Sequence, residues 1–214
     1  MSSSTPPPHA VPAVRTRKPA ARRSPAERRA EIVGAAEAIA LSEGLAGITM
    51  RAVATRLGVA PTLVVHHAES MDHLVAEAFT CIVAAELSEL HALAAGVPTE
   101  RALDAVLHAV LDGTRDAVTL VWVEAWALGR RNVPLAAAVR TQMDAWREFF
   151  AQLIQAGCDV GRYRVADPLA VAGQLLGMLD GVNAHSLVGW GSGVDRAMLM
   201  RQAADAMLGV VSTG

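Results

Sequence analysis

The chain has 214 residues, half of them apolar but only eight aromatic, and it is dominated by alanine and leucine. Both are strong helix formers, and the β-branched and aromatic runs that build strands are sparse, so the composition points to an all-α protein and argues against a sheet-based one. The net charge of −2 conceals an asymmetry: residues 1–70 carry nine Arg/Lys against five Asp/Glu, and residues 71–214 ten against sixteen. The proline-rich opening argues against a signal peptide. The longest apolar stretch, 169–190, is interrupted by Gln174, Asp180, Asn183 and His185, which argues against a membrane span.

Residues 1–23 are rich in Ser, Pro and Ala and have no apolar period; they are expected to be a disordered arm, with Arg15, Arg17, Lys18, Arg22 and Arg23 at its end. Such an arm is either a solvated tail or a source of phosphate contacts. The first helix is predicted to start at Ser24, with Pro25 at its first position and Glu27 completing a capping box, and to end at Gly44 and Gly47. Within it Ile32, Ala35, Ala36, Ile39 and Ala40 recur at helical spacing. Short helices are predicted from about Thr49 to Leu57 and from about Pro61 to His67, broken by Gly58. Ser70 caps a long helix with Leu74, Ala78, Cys81, Ile82 and Ala85 on one side. Further helices open at Pro98-Thr99-Glu100, near Arg115, at Pro134, at Asp167-Pro168 and near Val194, giving about nine in all with short joints. Cys81 and Cys158 sit in apolar patterns and are expected to be buried thiols in a reduced, cytoplasmic setting, since neither has metal or redox spacing. No metal and no cofactor is expected.

The segment 48–67 carries the most information. Two short helices meet at Gly58, where glycine supplies the positive φ of a tight turn. Ala54 is small enough to let them cross closely, and Val53, Leu57, Val59 and Leu63 can share a small core. This is the pattern of a helix-turn-helix, whose second helix enters the major groove while the first crosses the backbone. The basic front and acidic rear of the chain suit a DNA-binding head on a sensing body.

With its neighbours, the segment resembles the DNA-binding domain of TetR-family regulators. A helix of the kind seen at Glu31 to Ser42 leads to Gly44, then to Thr49-Met50-Arg51-Ala52-Val53-Ala54-Thr55-Arg56-Leu57-Gly58-Val59-Ala60, then to a helix opening with Ser70, Asp72 and Leu74. Farther on, Trp122-Val123-Glu124-Ala125-Trp126, the stretch from Trp146 to Gly157, Gly161 and Asp180-Gly181 resemble landmarks of one class of the family's sensing domains. The resemblance implies an all-helical homodimer: a helix-turn-helix over residues 24–70, and a ligand-binding and dimerisation domain over residues 71–214. It implies DNA contacts at Thr49, Arg51, Thr62, His66 and His67. The sequence departs from the family pattern at Ala60, where Ser is usual, at Thr62, and at Val65, Ala68 and Met71, where Tyr, Phe and Lys are usual.

Trp122 and Trp126 share a helix face. With Met143, Trp146 and Met178 on the following helices they either form core or line a pocket for a small, largely apolar effector. His108, Glu124 and His185 are polar groups in apolar helices. Glu124 is two residues from both tryptophans and is expected to point away from them. Gly173, Gly177 and Gly181 recur every four residues in one helix, which suggests close helix approach, at a dimer interface or within one subunit.

No phosphate-binding glycine loop, zinc spacing or nucleophile elbow is present in the sequence, so an enzyme is not expected. Two readings remain. One is a regulator, a repressor released from an inverted-repeat operator by its ligand. The other is a protein of the same fold that binds a ligand or partner but no specific DNA.

Overall fold

The computed structural model describes residues 24–191, 193 and 195–210; the basic arm expected over residues 1–23 lies outside them. Among the described residues the chain forms nine α-helices and one 3-10 turn, with no strand. They are α1 (Pro25–Glu43), the turn Leu45–Gly47, α2 (Met50–Leu57), α3 (Pro61–His67), α4 (Met71–Ala95), α5 (Thr99–Leu111), α6 (Asp116–Gly129), α7 (Val133–Asp159), α8 (Pro168–Ser186) and α9 (Arg196–Leu208). The all-α expectation is met.

Helix starts follow local chemistry. Ser24 Oγ accepts from Glu27 N at 3.2 Å while Ser24 N donates to Glu27 Oε2 at 2.7 Å, a complete capping box. Thr49 Oγ1 accepts from Ala52 N at 3.1 Å, and Ser70 Oγ from His73 N at 3.1 Å. Asn132 opens α7 from a buried site: its Oδ1 accepts from Leu135 N at 2.8 Å, and its Nδ2 donates to the Asp72 carbonyl at 3.3 Å. That second bond ties α7 to the start of α4. Ala60 opens α3 with no side-chain cap. Gly58 ends α2 at φ 64° and ψ 36°, the left-handed conformation that glycine adopts most readily.

Helix α4 is the spine of the molecule. Its first half packs Leu74, Ala78, Phe79 and Ile82 with Ile32, Ala36 and Ile39 of α1, Val53 of α2 and Val64 of α3 in one buried cluster. Its second half meets α5 and α7, where Leu90, Leu103, Leu107, Phe149, Phe150 and Ile154 continue the same core. Helices α8 and α9 close the far side with Leu175, Leu179, Met200 and Leu208. By length and composition α4 could cross a membrane, with a mean hydropathy of 1.4; here both its halves are covered by other helices.

The structure corrects the reading of the cysteines. Cys81 is exposed and Cys158 half-buried, both free. The buried stripe of α4 runs through Leu74, Ala78, Phe79, Ile82, Val83, Glu86 and Leu90, so Cys81 and Ala85 fall on its outer side. The apolar residues of α4 nearly encircle the helix, and periodicity alone did not single out the buried face.

A close contact fixes the end of α7. A Cβ built on Gly157 would lie 2.2 Å from the ring of Tyr163, which is itself buried. Gly157→Ala gains about 1 kcal/mol of helix propensity, while forcing a methyl into a filled core costs about 1–3 kcal/mol. With overlap this deep the second effect wins. Gly157→Ala should therefore lower the melting temperature by several degrees, measured by circular dichroism, whereas a raised melting temperature would show that the Tyr163 ring moves aside freely.

Candidate nucleic-acid interface and ligand cavity

The head is built by α1, α2 and α3. Val53, Ala54 and Val64 are buried between them, and Leu57, Val59 and Leu63 pack on that cluster. The outer surface of α2 and α3 exposes Thr49, Arg51, Thr62 and His66. His67, the fifth expected contact, is half-buried in a crevice with Arg29 and Glu77, its ring 5.1 Å from that of His66. Arg56 was passed over in the sequence. It is exposed and, like Arg51, has no ion pair among the described residues. Residues 49–67 contain two arginines and two histidines but no Asp or Glu. A polyanion would meet no repulsive charge on these two helices. Val65 stands 52% exposed on α3, an apolar side chain on this face.

The second feature is a cavity of about 290 Å³ among α4, α6, α7 and α8. From α6 it is lined by Thr119, Trp122, Val123 and Trp126, from α7 by Met143, Asp144, Trp146 and Arg147, and from α8 by Gly173, Leu176, Gly177, Leu179, Asp180 and Asn183. Glu86 of α4, Val110 of α5 and Arg115, just before α6, complete the wall. The indoles form a cluster: Trp122 lies 5.8 Å from Trp126 and 6.2 Å from Trp146, edge-on to the latter. Phe79 abuts Trp122 from the core at 5.1 Å, and Phe150 stacks on Trp146 at 6.4 Å. These rings are thus core on one side and cavity wall on the other.

Of the residues expected around a ligand, the structure brings together Trp122, Trp126, Met143 and Trp146. Met178 does not line the cavity. It follows Gly177 by one residue on α8, which turns it about 100° away, and it is 39% exposed. Gly173 and Gly177 do line it. A Cβ on Gly177 or Gly181 would meet nothing within 4 Å, so these glycines do not serve close packing inside the subunit. Sequence reasoning missed Glu86, Arg115 and Asp180. The signal was present in Asp180 and Asn183, which interrupt the apolar run of α8.

The polar wall is electrostatically uneven. Arg115 Nη1 reaches Glu89 at 3.1 Å and Glu86 at 3.7 Å. Burial pushes the Glu86 carboxyl up to about 7, against the opposing pull of Arg115. Burial alone pushes Asp180 up to about 6.

Helix α6 also touches the head. Glu124 turns away from the cavity and its Oε2 accepts from the Ala46 amide of the 3-10 turn at 3.2 Å. A Cβ on Gly44, whose φ is 81°, would lie 2.5 Å from that carboxylate oxygen. The turn between α1 and α2 is therefore moulded around a side chain of the cavity helix.

The sequence matches two family models. Residues 32–78 match the tetR family of bacterial regulatory proteins, and residues 98–209 match the C-terminal domain of BetI-type transcriptional repressors. Among curated proteins none matches. Several solved structures share the fold. A TetR-family transcriptional regulator from Rhodococcus sp. is 22% identical, with a TM-score of 0.70 over 86% of this chain and 99% of its own. A transcriptional regulator from Saccharomonospora viridis in complex with choline is 20% identical, with a TM-score of 0.72 over 86% and 96%. The multidrug binding protein EbrR complexed with proflavin is 22% identical, with a TM-score of 0.60 over 84% and 99%.

The raised carboxyls have a consequence for pH. Glu86 and Asp180 hold protons in the folded state at pH values where the unfolded chain has lost them, so stability falls as pH rises from the ordinary carboxylate range to about 7. Glu86→Gln mimics the protonated form. It should raise the melting temperature more at pH 8 than at pH 5; an equal change at both would contradict a raised Glu86 carboxyl.

Proposed function

The chain belongs to the TetR family of bacterial regulatory proteins, and from that premise we propose that it is a one-component repressor, released from an inverted-repeat operator when a small molecule fills the cavity. The observation that carries this reading is the shared helix: α6 supplies Trp122 and Trp126 to the cavity and Glu124 to the head. Residues 24–70 form the DNA-binding head and residues 71–214 the sensing and dimerising body. Structural neighbours holding choline and proflavin support a cavity that accepts small organic molecules. The site of action is cytoplasmic DNA.

DNA contacts are assigned to Thr49, Arg51, Thr62, His66 and His67, with Arg56 as an addition. The Thr49 hydroxyl accepts from the helix start, which leaves its O–H free to donate to a phosphate oxygen. The body forms a homodimer through the outer faces of α8 and α9, where Leu169, Met178, Met198 and Leu199 are exposed. Gly181 lies on that seam; Gly173 and Gly177 serve it only where it adjoins the cavity. Two heads related by a two-fold axis require an operator with two-fold symmetry.

Exposure of Val65 where the resemblance expects Tyr favours a second reading, a ligand-binding protein of this fold without specific DNA recognition. Selection from random duplex DNA separates the two. Enrichment of an inverted repeat supports the repressor; no enrichment at low salt supports the second reading. On an enriched site Arg51→Ala should weaken binding about tenfold per head and reduce the salt slope of the dimer by about 2, the signature of one lost phosphate contact in each head. Unchanged affinity would remove Arg51 from the interface.

Glu124→Ala tests the relay. A hydrogen bond of this kind contributes about 0.5–1.5 kcal/mol. Its loss should shrink the factor by which a bound ligand weakens operator affinity, with the separate affinities for ligand and operator nearly unchanged. By linkage, operator should weaken ligand binding by the same reduced factor. Undiminished coupling in the variant would place the relay elsewhere.

A further inference from the structure

The charged groups around the cavity do not balance. Arg147 is held by Asp144 at 3.0 Å, and Arg115 is shared between Glu86 and Glu89. Asp180 lines the cavity from α8 and has no hydrogen-bond or ion-pair partner among the described residues. Both guanidinium groups at the wall are thus engaged, while one carboxylate is free and a second, Glu86, shares its counter-ion and is only 5% exposed.

Each class of ligand would fare differently here. An anion would meet Glu86, Asp144 and Asp180 with no disengaged cation to receive it. A neutral apolar molecule would displace water from Asp180 and return nothing, leaving a carboxylate desolvated and unpaired. An organic cation satisfies the wall on two counts. Its charge pairs with Asp180, and the Trp122, Trp126 and Trp146 rings offer the electron-rich surfaces that attract cations within about 6 Å. Gly173 and Gly177, on the same face of α8 as Asp180, carry no side chain and, beside Leu176, leave room for an apolar body to lie against that wall. A volume of about 290 Å³ suits a small ligand, about the size of a two-ring system.

We propose that the cavity binds an organic monocation, its charge held between Asp180 and the tryptophan cluster and its apolar body against Gly173 and Gly177. The expectation of a largely apolar effector is thereby narrowed to a cationic one. The polar group that makes the difference is Asp180, not His108, Glu124 or His185. The inference rests on the reading of the chain as a ligand-responsive regulator for its biological role, but the binding preference can be measured without DNA.

The test uses the full chain and three probes of nearly equal shape: 1-methylquinolinium, 1-methylnaphthalene and 1-naphthoate, titrated by tryptophan emission and by the shift in melting temperature that binding produces. The cation should bind at least tenfold more tightly than the neutral probe, and naphthoate most weakly. Asp180→Asn should reduce cation affinity to about that of the neutral probe without changing the latter. Its own melting temperature reports that the variant is folded. Gly177→Leu, which fills the cavity, should abolish binding of all three. Equal or tighter binding of the neutral or anionic probe, indifference of the cation to Asp180→Asn, or no binding by any probe overturns the proposal. Operator binding measured on the same samples keeps the two readings apart. An operator still bound, or released by a non-cationic probe, leaves the regulator standing while the cation site fails. A cation preference without any operator leaves the site standing while the regulator fails.

Discussion

Glu124 reaches from the middle of α6 to the Ala46 amide, a contact of 3.2 Å between residues 78 apart in sequence. The backbone N–H it satisfies belongs to a turn too short to satisfy its own, and the turn curls around the carboxylate at Gly44. This bond joins α6 to the turn between α1 and α2, beside the packing of α1 on α4. Val121 and Ala125 of α6 are fully buried against the core, so the helix cannot shift locally without repacking its neighbours. Packed helices respond to a ligand by small rigid movements between discrete arrangements. A movement of α6 therefore reaches the turn that sets the angle between α1 and α2.

The cavity sits on the opposite side of the same helix. Its aromatic wall is the outer edge of the core, since Phe79 and Phe150 hold Trp122 and Trp146 from behind. The choice between core rings and pocket rings was thus not exclusive. Glu86 and Asp180 are held where burial favours their protonated forms. A ligand that compensates these buried groups gains binding free energy from doing so.

The helix-turn-helix was legible because its signals are local. Ser24, Thr49, Gly58, Pro61 and Ser70 act within three or four residues of themselves, and each acts in the structure as its chemistry predicts. The cavity was legible in part. Tryptophans at helical spacing marked it, but its charges come from α4, α7, α8 and the residue before α6. No spacing rule brings Glu86, Arg115 and Asp180 together; only the packing of helices does. Cys81 was misplaced for a related reason: a helix with apolar residues all round shows its buried face only through its partners. Glu124 was expected to point away from the tryptophans, and it does, but its partner lies across a domain and left no trace in the local pattern.

The link between cavity and head is tested most directly by amide hydrogen exchange at residues 44–48, with and without saturating 1-methylquinolinium. The expected result is a change in protection at Ala46 and along α6, with α9 unaltered and with operator released over the same range of concentration. Operator release with exchange at Ala46 unchanged would contradict a relay through Glu124.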